Sequence, residues 1–296
     1  MFISGVVLNF KMKKMKEKLI ILMIFISTIT YSQNNYIEYY NLINKAKEYN
    51  KNDKIDSSLI VIKDAFKLVD YIHIDNLKFA KRISKKNKDK DFYEFCQTKL
   101  NNQKKLINIS LKEKIDSLGK KDQNIRDRKH IKARDYYYKC KYDTTFDCNN
   151  EKFKKSEEIL KEWWLTDSLN IVELKKIIKI YGYLGEKLVG KESNLSANII
   201  LLHYDKDTAN HIMGDILYNA LINGDIQPKM YAWIIDRHLM SAGKPQKYYA
   251  IPTPWAKMSE IEKKDYNKNR YAIGMKELQK MIIKKRKNSV RVTYED

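Results

Sequence analysis

The stretch IDSSLIVIKDAFKLV, residues 55–69, decides the fold class. Leu59, Ile62, Phe66 and Val69 recur at intervals of three and four, the spacing that gathers apolar side chains on one face of an α-helix. The same texture runs outward in both directions. Between Gly5 and Gly119 there is no glycine, and the first proline is Pro228. Residues 34–118 therefore lack the usual helix breakers and hairpin markers, and they predict helices joined by short polar turns.

Within this region Leu42, Ala46, Tyr49, Ser58, Ile62 and Ala65 resemble the packing positions of a tetratricopeptide-like helix pair, with small residues where two helices approach closely, and Ala80 falls 34 residues after Ala46. A generic helical hairpin fits the same residues. From about Leu111 glycines become frequent, at 119, 182, 185, 190, 214, 224, 243 and 274, yet helical spacing persists. Asn170 with Glu173 reads as a capping box opening a helix through Ile171, Leu174, Ile178 and Tyr181, which Gly182 ends. Further helices are expected near 195–203, 208–223, 229–241 and 274–287, and residues 243–255, with three prolines, form a structured loop. No strand pattern of matching strength appears. The expected architecture is all-α: a signal segment over 1–32, helical hairpins over 33–110, and a multi-helix domain over 111–290.

Residues Lys11 to Gln33, KMKKMKEKLIILMIFISTITYSQ, lead from lysines through an apolar run to a small polar end, the layout of a cleaved secretory signal. The run is shorter than the roughly 20 residues that span a bilayer, so no stable membrane span is expected. The preceding MFISGVVLNF is atypical of a signal and points to Met12 or Met15 as the start. The expected location is exported, periplasmic or secreted. The net charge of +21 comes from 50 Lys against 8 Arg, the usage of a solvated lysine surface in a chain rich in Asn, Ile and Tyr. No nucleic-acid-binding pattern accompanies it, so no nucleic acid is expected; the first reading of the charge is a solvated surface without a partner, and a protein, envelope or polysaccharide surface is the candidate if there is one. Outside the cytoplasm Cys140 and Cys148 are disulfide candidates, with buried thiols as the alternative. Neither a CxxC pair nor a three-ligand metal spacing is present, and no cofactor is expected.

The chain's rare arginines are informative, because only a planar guanidinium holds a carboxylate in a two-pronged grip. Asp122, Gln123 and Arg126 share a helical patch with an ion pair one turn apart, read on its own as a solvated face. His203 and Asp205 close an apolar helix, either as a base and its orienting acid or as a helix-end hydrogen bond. Met230, Trp233, Arg237 and Met240 fall on one helical stripe, which predicts an inward Arg237 paired with Asp236. Gly185 to Lys191, GEKLVGK, has P-loop spacing, but Glu192 replaces the Ser or Thr that would hold magnesium, so nucleotide binding is not expected.

In order, DQNIR, DSLN, HYD, DR, GKPQKYY and NRYAIG resemble the motifs of a bacterial family of unknown function, over roughly residues 111–280. The resemblance implies that Asp122, Gln123, Arg126, Asn170, His203, Asp205, Asp236, Arg237, Gln246, Tyr248 and Arg270 occupy the family's polar positions. Tyr183-Leu184 stands where the family has Trp-Pro, Leu202 where it has Gln, and Tyr249-Ala250-Ile251 where it has Gly-Thr-Gln. Two functions are compatible with this set. One is a binding or interaction module with a polar pocket. The other is an envelope hydrolase or lyase with His203 and Asp205 as base and Arg237 as anion stabiliser.

Overall fold

The computed structural model describes residues 35–204, 214–251, 258–278, 281–286 and 289–294. The expected signal segment, Asp205 and the end of the proline loop, residues 252–255, lie outside them. Tyr36–Asp296 forms one compact unit. It is all-α apart from a terminal hairpin, with twelve α-helices among the described residues.

Four helices surround the first core: α1 (Tyr36–Lys51), α2 (Ile55–Phe66), α3 (Ile74–Asn87) and α4 (Lys90–Gln103), the last followed by a short 3-10 turn. Tyr39, Ile43, Ile62, Leu77, Ile83 and Cys96 fill it. The α1–α2 pair is tight because Ala46, Ser58 and Ala65 are fully buried, and the Ser58 hydroxyl donates to the Ala46 carbonyl at 2.8 Å.

The second core is built by α5 (Ile109–Asn124), the C-terminal half of α7 (Asn150–Tyr181), the short α8 (Glu186–Val189), α9 (Lys191–His203), α10 (Gly214–Ile222) and α11 (Pro228–Ser241). Ile115, Leu174, Ile177, Leu184, Leu217 and Leu221 are its most enclosed side chains. Helix α5 lies close against α9, because a Cβ on Gly119 would come within 2.8 Å of Ser196. A small third core, Ile125, Tyr137, Leu160 and Trp163, joins α6 (Arg128–Tyr142) to the first half of α7. The Cys140–Cys148 disulfide closes the turn between these two helices, with Cα atoms 5.4 Å apart.

Three local expectations are corrected. Asn170 opens no helix: α7 runs unbroken for 32 residues from an N-cap at Asn149, and Asn170 is buried midway. No glycine or proline interrupts 150–181, and the apolar period continues through it, so the capping-box spelling is overridden. Gly182, at φ +77°, ends the helix as expected. The helix expected over 274–287 is also absent. Gly274 sits at φ +75° just after α12 (Glu260–Tyr271), where a Cβ would meet Tyr40 at 2.8 Å and the Ile37 carbonyl at 2.9 Å. Beyond it, β1 (Met281–Arg286) pairs antiparallel with β2 (Ser289–Tyr294). Finally, the inward stripe of α11 is Tyr231, Ala232, Ile234 and Ile235, and Arg237 is exposed.

The segment with P-loop spacing has a mechanical role. Glu186 is buried and accepts from the Ile74 amide at 2.7 Å, the Tyr71 hydroxyl at 3.2 Å and His73 Nδ1 at 3.3 Å. His73 Nε2 in turn meets the Tyr40 hydroxyl at 2.6 Å. Burial alone would push the Glu186 carboxyl up, but these donors hold it below the usual carboxylate range. Lys187 and Lys191 add exposed pairs to Asp70 and Asp75, each at 2.9 Å. The α8 segment thus docks the second core onto the N-terminus of α3, where a carboxylate is favoured by free amides.

Candidate functional site

The polar residues singled out from the sequence fall into two groups. The first gathers where α5, α7 and α9 meet. Asp122 lies in the last turn of α5, Arg126 one turn later, and His203 is the last residue of α9. His203 Nδ1 lies 3.1 Å from both carboxylate oxygens of Asp122. Arg126 Nη1 is 3.0 Å from Asp122 Oδ1 and also donates to the Asp122 carbonyl, while Gln123 Nε2 donates to Asp122 Oδ2 at 2.7 Å. Every face of the Asp122 carboxylate is thereby engaged. Its side chain is 1% exposed and that of His203 20%, so the patch is no solvated face. The reason is tertiary: α9 covers the side of α5 that the local pattern leaves polar.

Arg126 is braced from the far side by two residues of α7. Its Nη2 donates to Asp167 Oδ1 at 2.8 Å, and its guanidinium lies over the Trp163 ring at 5.0 Å. Trp163 Nε1 donates to Asp167 Oδ2 at 3.0 Å. Burial pushes the Asp167 carboxyl up and the neighbouring Asp122 charge adds to this, while Arg126 and His203 oppose it. Asp167 and Trp163 were missed as site residues, although Asp167 is the first residue of the DSLN motif and Trp163 lies one helical turn before it. Asn170, a turn further on, is 3% exposed, and its Nδ2 has no partner among the described residues.

The second group is a loop lock. Asp236, fully buried on α11, accepts from the backbone amides of Lys247 and Ala250 at 2.7 Å each and of Tyr248 at 3.0 Å. Burial raises its carboxyl, and the three amides and Arg270 counter this. Gln246 closes the same loop on itself, donating to the Ile251 carbonyl at 2.7 Å and accepting from the Ile251 amide at 3.0 Å. Arg270 Nη1 donates to the Tyr248 carbonyl at 3.0 Å and its Nε to the Lys276 carbonyl at 2.6 Å. These residues therefore spend their hydrogen bonds on backbone, and Asp236 is held by loop amides. Tyr249 adopts φ +49°, a region that favours glycine, at the position where the resemblance places glycine. The loop keeps that backbone turn with a larger residue in it.

The expected partnership of His203 with Asp205 rests on a residue outside the described set. The carboxylate that does orient His203 is Asp122. Among the described residues no cluster of three or more His, Cys, Asp or Glu side chains is arranged to hold a metal, and no helix is long and apolar enough to cross a membrane. The molecule is thus an all-α protein with a carboxylate-anchored histidine at a three-helix junction. Residues 153–253 match the model of a family of unknown function, DUF6624. That span holds His203, Asp167 and the Asp236 lock, while Asp122, Arg126 and Arg270 lie outside it. No curated protein and no solved structure matches the chain.

Proposed function

We propose that this chain is an exported binding module whose recognition centre is the His203 imidazole presented by Asp122. The carrying observation is the gradient of exposure across the dyad: the carboxylate is sealed in while the imidazole keeps a fifth of its surface open. One ring nitrogen is committed to Asp122, which fixes the ring and leaves the other for a ligand. Arg126, Asp167 and Trp163 act as the frame that keeps Asp122 in place. The ordered DQxxR, DxxN and HxD motifs are read as this one centre, and the DR, GxPQxY and RxxxG motifs as its supporting loop lock. Export is supported by the layout of residues 11–33 and by the Cys140–Cys148 bond, since disulfides persist in oxidising compartments. The N-terminal hairpins supply a further surface for a protein or envelope partner.

A second reading is favoured by the same dyad. An imidazole oriented by a buried carboxylate is the arrangement of a general base, so a hydrolase or lyase centred on His203 remains the alternative, with Asp122 in the orienting role. Thermal-shift measurements against a panel of sugar phosphates, dicarboxylates and peptidoglycan fragments separate these outcomes. The binding reading expects at least one stabilising ligand whose shift disappears in His203→Ala, measured against that variant's own ligand-free Tm. A panel without any such ligand overturns it, and consumption of a ligand by the wild type alone favours the enzyme.

A further inference from the structure

The outward face of α7 is apolar where a solvated helix would be polar. Its buried residues, Leu160, Trp163, Leu174, Ile177 and Ile178 among them, lie on one side. On the opposite side Leu165 and Leu169 are each 60% exposed and Val172 50%. These three follow one another at intervals of four and three, so they form a continuous strip and not scattered surface residues. Extending the same alternation in both directions gives Glu158, Glu162, Leu165, Leu169, Val172, Lys176 and Lys179, all exposed. That is the a and d seam of a coiled coil, spelled with acids at one end, aliphatics in the middle and lysines at the other.

The polarity of this seam selects its partner. Acids near a helix N-terminus and bases near its C-terminus answer the helix dipole, but only within the first and last turns. Of the seam charges Lys179 alone falls in a terminal turn of α7. Glu158, Glu162 and Lys176 stand further in, and the dipole accounts for neither them nor the aliphatic centre. A two-fold interface must be complementary to itself, because the same patch is used twice. Turned antiparallel about a point near Leu169, two copies of the strip lay aliphatics on aliphatics and bring the glutamates of each against the lysines of the other. A parallel pairing would set like charges together. Within the molecule two of these charges are only loosely engaged: Lys176 Nζ is 3.7 Å from Glu173, and Glu162 is 3.5 Å from His130 Nε2. Glu173, at the edge of the strip, is held by Lys114 at 2.6 Å. Lys161, on the other edge, is exposed. The seam runs for about 32 Å at the helical rise. Asp167 and Trp163 lie on the other side of α7, so the strip leaves the His203 centre untouched.

We propose that this strip is a self-association surface, through which two copies of the chain pair antiparallel along α7. The test is analytical ultracentrifugation of residues 33–296, which contain the whole compact unit, from micromolar to sub-millimolar concentration. A monomer–dimer equilibrium is expected in that range. Leu169→Glu, at an exposed position, should weaken the dimer tenfold or more with unchanged helical circular dichroism. The paired reversal Glu158→Lys with Glu162→Lys should do the same, by setting lysines against lysines. Adding Lys176→Glu and Lys179→Glu to that pair restores opposite charges across the two-fold axis, and association should return to near the wild-type level. A chain that stays monomeric throughout overturns the proposal, as does a dimer indifferent to Leu169→Glu. So does a four-residue variant that remains as weak as the paired reversal, because a parallel or unrelated contact shows no such recovery.

Discussion

His203 is fixed by Asp122, a residue 81 positions away in the chain, and the consequences of that pairing are local and strong. Removing a carboxylate that satisfies a guanidinium, an imidazole and an amide leaves all three short of a partner in a mostly buried place. Asp122→Ala should therefore cost about 3 kcal/mol in urea unfolding. A loss under about 1 kcal/mol would mean that Asp167 alone holds Arg126. Asp225 behaves in the opposite sense. Its carboxyl is pushed up to about 6 by burial, only partly offset by His73 and Lys187, and it packs against Gly185. The folded protein prefers it protonated, so its contribution is most favourable below the unfolded value near 3.8 and is lost as pH rises through about 6. Asp225→Asn should raise stability at pH 7.5 by an amount on the order of 2 kcal/mol and change it little at pH 3.5. Equal effects at both pH values would remove the electrostatic explanation.

Among the elements, α6 and the first half of α7 depend least on the main cores. Their own core is small, and the Cys140–Cys148 bond closes an interval of eight residues. Closing a loop of that length stabilises by about 2.5 kcal/mol on a chain-entropy estimate. Cys140→Ser should lower urea stability by that order and raise hydrogen exchange first in α6, with α9 and α11 unaffected at low denaturant. The helices were legible wherever apolar period and breakers agreed, as in α2, in α9 and at Gly182. They were misread where a local signal competed with the period, as with Asn170 inside α7. The 281–294 hairpin escaped because its strands are short and carry charges between their branched residues. At the site, the sequence pointed to the polar residues but not to their pairing. Helical spacing alone turned Arg237 inward, whereas α11 rotates to bury Tyr231, Ile234 and Ile235. Asp167 gained its role only through the packing of α7 against the end of α5, and no spacing rule within α7 records that.

At the scale of the whole molecule, the α8 dock joins the two larger cores through a buried carboxylate. Glu186→Ala would strip acceptors from the Ile74 amide, Tyr71 and His73 together, and about 3 kcal/mol should be lost at neutral pH. Because the folded carboxyl lies below its ordinary range, its stabilisation is present above about pH 4.5 and fades as pH falls through the folded value. The gap between wild type and Glu186→Ala should accordingly narrow on acidification, and calorimetry from pH 7 to pH 3 measures this. A gap that widens in acid would contradict the sign. The dock also bears on how the chain can be divided. A fragment trimmed to residues 153–253 keeps Glu186 but discards Tyr71, His73 and Ile74, and it equally discards Asp122 and Arg126. It would carry an orphaned acid on a newly bared surface and a histidine without its anchor. Portable use of the domain therefore begins at Tyr36.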